Sequence, residues 1–385
     1  MNLWMLALRN LLRNRRRSLA TLLAMVVGLT AILLFGGYRS NILYGMETGF
    51  VQFSGHLQVQ RRGYFVDGGD NPTAYGIAGY QRVIDAIAND PQLAPLLRVV
   101  TPTLQLGGIA GHMESGHTRS VLAQGLVAPD INRLMQWNDY GMVSYAQPLA
   151  LEGTAPHAAV IGTGVARKLQ LCAALQVPHC TNASTNASTN AYTSARTSAA
   201  VQAPEAPAVP DDVAALSALE RSPDAERPPT RIEMLVATAK GAPNVASLQA
   251  IKAVNLGIKA IDDMYLAMHL PQAQRLLYGT QAPEVTSIVV QLQHTAQLPA
   301  ARARLHALLA QDFAAQDLEV LDFRTLNPMF GQTDEFMASM FGFIALLIAV
   351  IVLFTIANTM GTAVVERTVE IGTLRAMGQR CSGIR

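Results

Sequence analysis

The 385-residue sequence is short of charge: Asp, Glu, Lys and Arg make up 15% of it, against a usual ~25% in globular chains. Half of the residues are apolar, and the two facts together point to residence in a membrane. Catalytic signatures are also missing. No Gly-x-x-x-x-Gly-Lys-Ser/Thr phosphate loop occurs, which excludes ATP hydrolysis by that route. His-Glu-x-x-His, Gly-x-Ser-x-Gly and the kinase motifs are absent too. Nothing raises a Ser/His/Asp arrangement above background. His112 and His117 stand five apart in a Gly-rich stretch and read as a loop rather than a ligand pair. Gly162-Thr163-Gly164 lacks the third glycine of a dinucleotide fingerprint, with Arg167 in its place, and reads as a turn. The expectation is a non-catalytic chain with no cofactor and no metal site.

Cysteine is scarce as well. Cys172 and Cys180 fall between two apolar runs, and Cys381 follows the second. If the middle of the chain is extracytoplasmic, Cys172 and Cys180 lie in an oxidising space where a short-loop disulfide is allowed. A pair of free thiols is the equal alternative. A metal site from Cys172, His179 and Cys180 lacks a fourth ligand.

What the chain does have is two long charge-free runs. Residues 18–38 carry no charge between Arg17 and Arg39, and residues 336–365 carry none at all. A bilayer core takes about 20 helical residues, so each run is long enough to cross. The thirty residues of the second make ~45 Å of helix. Its surplus is expected to project on the outer face. Before the first run stand Arg9, Arg13, Arg15, Arg16 and Arg17 with no acid beside them. Next to an apolar span this is a cytoplasmic, membrane-interface cluster rather than a nucleic-acid contact. Residues 2–17 read as an amphipathic helix lying on anionic lipid, with Trp4, Leu8, Leu11 and Leu12 on one face. Gly28, Gly36 and Gly37 would allow close helix contact; ordinary transmembrane glycines are the equal alternative.

The expected architecture is a membrane protein with α-helical spans and an α+β extracytoplasmic domain. Its parts are a basic helix (1–17), a first span (18–39), an outer domain (40–335), a stalk and second span (336–365), a cytoplasmic charged helix (366–378) and a short end (379–385). Within the outer domain, strands are expected at 55–60, 103–110, 119–126, 232–237, 285–292 and 318–323. Helices are expected at 80–88, 272–277 and 298–309. Ala158 to Leu171 reads as strand, turn and helix. The grammar of 285–323 suggests a small α/β sandwich unit. From 181 to 230, Thr-Asn-Ala-Ser repeats give way to Ala, Pro and acidic residues, a disordered insertion by composition. Asn182 and Asn186 fall in sequons there.

These residues resemble a family. Ala7 to Ser18, Gly55 to Gln60 and Val160 to Leu171 are similar to pieces of ABC transporter permeases of the MacB/FtsX-like class, which includes the lipoprotein-releasing permeases. The sharpest match is Ala357-Asn358-Thr359-Met360 followed by Glu366-Arg367-x-x-Glu370-Ile371-Gly372-x-x-Arg375-Ala376-x-Gly378. The resemblance implies four spans per subunit, of which the third and fourth are absent here, so that the chain reads as cut short after a coupling helix. It implies a MacB-like periplasmic core domain and a multi-pass inner-membrane location with a cytoplasmic N-terminus. It also implies three partners: an ABC ATP-binding subunit, a second permease copy or paralogue, and membrane lipid. In that setting Glu366, Arg367, Glu370, Ile371, Gly372, Arg375 and Gly378 would contact the ATPase. Glu366 and Glu370, one turn apart, would present two carboxylates on one face. A two-span sensor with an outer ligand-binding domain is the alternative from another class.

Overall fold

The computed structural model describes residues 15–69, 71–143, 146–178 and 230–378. Most of the expected helix at 2–17, Arg9, Arg13, His179, Cys180, Asn182, Asn186, the 181–230 insertion apart from Thr230, and the 379–385 end lie outside the described residues. The described chain divides into two compact units, residues 49–326 and the helical segments on either side of them.

The elements mix strands and helices. Helix α1 (Arg15–Ser54) is 40 residues long. It continues well past the charge-free run because nothing in 40–54 breaks a helix: there is no proline, and the glycines are isolated. There follow β1 (Leu57–Arg61), β2 (Ile77–Ala78), α2 (Tyr80–Asn89), β3 (Leu97–His112), β4 (His117–Leu126) and α3 (Ala128–Met135). The middle of the domain holds β5 (Ala158–Gly162), α4 (Thr163–Lys168), β6 (Arg231–Ala237), β7 (Pro243–Val254) and β8 (Tyr265–His269). The chain then runs through α5 (Leu270–Tyr278), β9 (Glu284–Val285), β10 (Ser287–Leu292), α6 (Leu298–Asp312) and β11 (Leu318–Asp322). It closes with α7 (Pro328–Glu366) and α8 (Thr368–Ala376).

In the domain, β1 lies between β11 and β10 and is antiparallel to both. So β10 and β11 run parallel, joined by α6, with β1 inserted between them. This is the α/β unit expected at 285–323, with one strand from the other end of the domain added. Strand β3 serves two sheets. Its first half pairs with β10, its second half with β4 and, over three residues, with β6. Through that last contact β3, β4, β8, β5, β7 and β6 close on themselves. The stretch 245–269 is largely strand.

Two cores lie on opposite faces of the strands. Alternate residues of β5 show it: Ala159 and Ile161 belong to the larger core, Ala158 and Val160 to the smaller. Strand β10, covered on both faces, is buried at every position.

The Gly162-Thr163-Gly164 turn has a specific occupant. The Asp262 carboxylate accepts from Thr163 N–H (3.1 Å) and Gly164 N–H (2.8 Å), and from the Thr163 hydroxyl. It satisfies the first amides of α4, so the turn is filled by the protein's own anion. A Cβ on Gly164 would stand 2.1 Å from Asp263 Oδ1 and 2.7 Å from its Cα. Gly164→Ala and Asp262→Ala should each destabilise the domain by about 2–4 kcal/mol, through overpacking and through orphaned buried amides respectively. The urea midpoint should fall with an unchanged slope. A midpoint equal to wild type would contradict this account of the turn.

Candidate functional site

The charge-free runs of α1 and α7 pair antiparallel. A Cβ on Gly28 would lie 2.8 Å from Ile348 Cγ2, so this glycine provides the close contact expected of it, while Gly36 and Gly37 have room to spare. The rings of Phe35 and Phe341 stack at 5.8 Å. The Arg39 guanidinium binds the Asp334 carboxylate at 2.5 Å. Arg39 follows the first run and Asp334 precedes the second, so the pair brings these two ends of the runs level. With position 28 beside 348 and 35 beside 341, the first run is matched by residues up to about 358. The surplus apolar turns of α7 therefore fall at the Glu366 end. They lie at the end away from the Arg39–Asp334 pair.

Both helices are long and apolar enough to cross a membrane. Leu22, Leu29 and Leu33 of α1 are exposed, as are Phe343, Leu346, Val350 and Phe354 of α7. A soluble protein seldom leaves so continuous an apolar face uncovered.

At the far end of α7 the expected single helix over 366–378 is interrupted. Glu366 is the last residue of α7 and Arg367 forms the joint, with φ −105° and ψ 11°. The Arg367 N–H donates to Val364 O, and the Thr368 hydroxyl donates to Val364 O and Val365 O (3.2 and 2.7 Å). These bonds satisfy carbonyls left open at the helix end. The run Val364-Val365, Thr368-Val369 is β-branched and propagates a helix weakly. Glu366 and Glu370 thus sit on different helices, and their spacing along one continuous helix no longer applies. Glu370 lies in the first turn of α8 and Arg375 in the last, each favourably placed against the helix dipole. Ile371 and Gly372 fall within α8, and the space beside Gly372 is open. Gly378 makes the turn after it with φ +85°, its N–H donating to Arg375 O at 3.1 Å. Glu370 and Arg375 are exposed beside Val365, Val369 and Met377, which are 72%, 80% and 72% exposed. The joint and α8 form a surface of mixed charge and apolar side chains. Of the basic cluster, Arg15, Arg16 and Arg17 open α1.

The last turn of α1 belongs to the domain's core, a feature missed in the sequence. Gln52 Nε2 donates to Trp137 O at 2.7 Å, and Gln291 Nε2 donates to Val51 O and Leu134 O. His56 lies fully buried, edge-on to Trp137. Leu292 N–H donates to His56 Nδ1 at 3.1 Å, which leaves the proton on Nε2, facing Thr295 Oγ1 at 3.2 Å. Burial pushes the imidazole down to about 3, against a smaller opposing pull from Asp139.

Cys172 is buried and disulfide-bonded; its expected partner Cys180 is outside the described residues. His112 and His117 face each other across the β3–β4 hairpin. Among the described residues no group of three metal-ligating side chains comes together.

No family model matches the chain, and no curated protein matches it. Solved structures overlay on it in part. The extracellular domain of the noncanonic ABC-type transporter YknZ from Gram-positive bacteria is 12% identical, over 69% of this chain and 99% of that one, with a TM-score of 0.34. The periplasmic region of MacB from Actinobacillus actinomycetemcomitans is 8% identical, over 73% and 95%, with a TM-score of 0.36. At these values the overlays carry no functional statement.

His56 makes the domain acid-sensitive. It binds its proton in the unfolded chain near pH 6.5 and in the fold only near 3. Its contribution to stability is therefore whole above 6.5 and is lost as the pH falls from there, at up to ~1.4 kcal/mol per unit. His56→Gln, which keeps an acceptor for Leu292 N–H, should flatten the loss between pH 6.5 and 4.5. An unfolding profile as steep as wild type would exclude His56 as its source.

Proposed function

We propose that the chain is the permease subunit of an ABC transporter of the MacB/FtsX-like class, a non-catalytic inner-membrane subunit. Its basic N-terminus lies in the cytoplasm and its α/β domain in the periplasm. ATP hydrolysis belongs to a separate subunit, in keeping with the missing phosphate loop. The transported substrate would be a lipoprotein, a lipid or another amphiphile, or the output would be mechanical work on the periplasmic side. A second permease copy or paralogue completes the assembly.

The observation that carries this reading is the end of α7. The helix that carries the second charge-free run stops at Arg367, and a separate short helix follows with Glu370 and Arg375 in the open. An isolated charged tail marking the membrane edge needs neither the joint nor exposed Val369 and Met377. A docking helix needs both: charged ends for orientation and apolar side chains for burial. Glu370 and Arg375 stand at opposite ends of α8 and so fix its direction in a groove through charge-assisted hydrogen bonds. Helix α7 spans 39 residues, ~58 Å at 1.5 Å per residue. A continuous element of that length can carry a shift at its inner end to the outer side, provided it has two arrangements. Arg15, Arg16 and Arg17 set the direction by the positive-inside bias.

Glu370→Lys and Arg375→Glu should each lower copurification of the ATP-binding subunit by roughly 10- to 100-fold, the worth of a lost charge-assisted bond, with membrane insertion unchanged. Full retention of the ATPase, or no ATPase with the wild-type chain, would reject the coupling role and leave the sensor.

A further inference from the structure

The domain holds a crevice that the transport reading does not use. Strands β4 and β8 are parallel neighbours, with Leu126 opposite His269 at their carboxyl ends. Each passes at once into a helix. Ala128, Ile131 and Leu134 of α3 pack into the smaller core, while Leu270, Ala273 and Leu276 of α5 pack into the larger. The two helices therefore leave for opposite faces of the sheet. A crevice opens outside the carboxyl ends of parallel strands at such a point, and in α/β sheets it is the usual ligand position. Here it is a hollow of about 460 Å³, within the range of small-molecule sites.

We propose that this crevice binds a small, uncharged, largely aliphatic molecule carrying one hydrogen-bond-accepting oxygen, such as an ester or a ketone. Its walls are apolar, including Ile84, Val100, Leu126, Val127 and Leu270. No Lys or Arg lines it. Pro129 and Pro271 stand in the first turns of α3 and α5 and remove an amide donor from each. An anion is left without a partner. The one lining carboxylate, Asp130, is bound by Arg133, so a cation gains little. Gln81 is exposed at the rim, and His269 faces Thr154 Oγ1 through Nε2 at 3.0 Å, with burial lowering its pKa and so disfavouring the charged form. The remaining buried polar pair supplies a donor. The Tyr80 hydroxyl accepts from Gln274 Nε2 at 3.2 Å, and the same amide also donates to Glu284 O at 3.2 Å. Tyr80 and Gln274 are 9% and 8% exposed and line the hollow. The Tyr80 proton has no acceptor among the described residues. A ligand oxygen would supply it, since a buried hydroxyl donor left unmade is costly. The inference does not rest on the permease assignment.

The test uses the full chain in lipid nanodiscs, with the Ile84 methyl followed by NMR as butyl acetate, butyrate or butylammonium is added. Butyl acetate should give a saturable shift and the two charged probes none. Tyr80→Phe should weaken the ester about 2- to 12-fold, as one net hydrogen bond predicts. Gln81→Trp, a substitution at the exposed rim, should close the crevice and abolish the shift. A shift that never saturates, equal binding of the charged probes, or a wild-type response in Gln81→Trp would overturn the site. An unchanged ester affinity in Tyr80→Phe would overturn the oxygen-bearing ligand.

Discussion

The antiparallel ladder between β1 and β11 underlies the rest of the molecule. Residues 57–61 and 318–322 pair rung for rung, and the bond from Phe323 N–H to His56 O extends the pairing past Asp322. Through it the two connections to the apolar helices leave the domain from neighbouring strands. The register is strongly held. Leu57, Val59 and Val320 point into the core, and a slip of one residue would turn all three out. Gln52, Gln291 and His56 tie the last turn of α1 into the same corner. This explains why a titrating group matters there: protonated His56 would present a second donor to the Leu292 amide.

In the helical unit the governing constraint is different. Apolar side chains cover α1 and α7 for most of their length, and one helix can shield only one face of the other. The remaining faces call for lipid or for further helices. Gly28 allows the close approach, and the Arg39–Asp334 pair sets the register. The consequence reaches the other end: with the Arg39 and Asp334 ends of the runs level, the extra turns of α7 and the joint at Arg367 lie together, and α8 follows at once. An exposed surface of charged ends and valines is the product of that arithmetic.

Much of this was legible in the sequence. Strand alternation located β1, β4 and β6, and helical spacing located α2, α5 and α6, because those signals are local. The spans were legible as charge-free runs, but their helices overran the runs at both ends, since polar residues outside an apolar core do not stop a helix. What stayed hidden was long-range. Asp262 caps a turn 98 residues earlier, β3 changes partners halfway, and Asp334 meets Arg39 across 295 residues. One signal could have exposed the last: an Arg just after one charge-free run and an acid just before the next. The break at Arg367 was masked by charges spaced as for one helix, while the β-branched residues around it pointed the other way.

The central claim is that α8 contacts an ATP-binding subunit, and a crosslink reads this most directly. A photoreactive residue in place of the exposed Thr373, in the full chain in native membranes, should yield one protein adduct, identified by mass as an ATP-binding subunit and diminished when a nucleotide analogue changes its state. Adducts to lipid alone, or to a protein without a nucleotide site, would contradict the account.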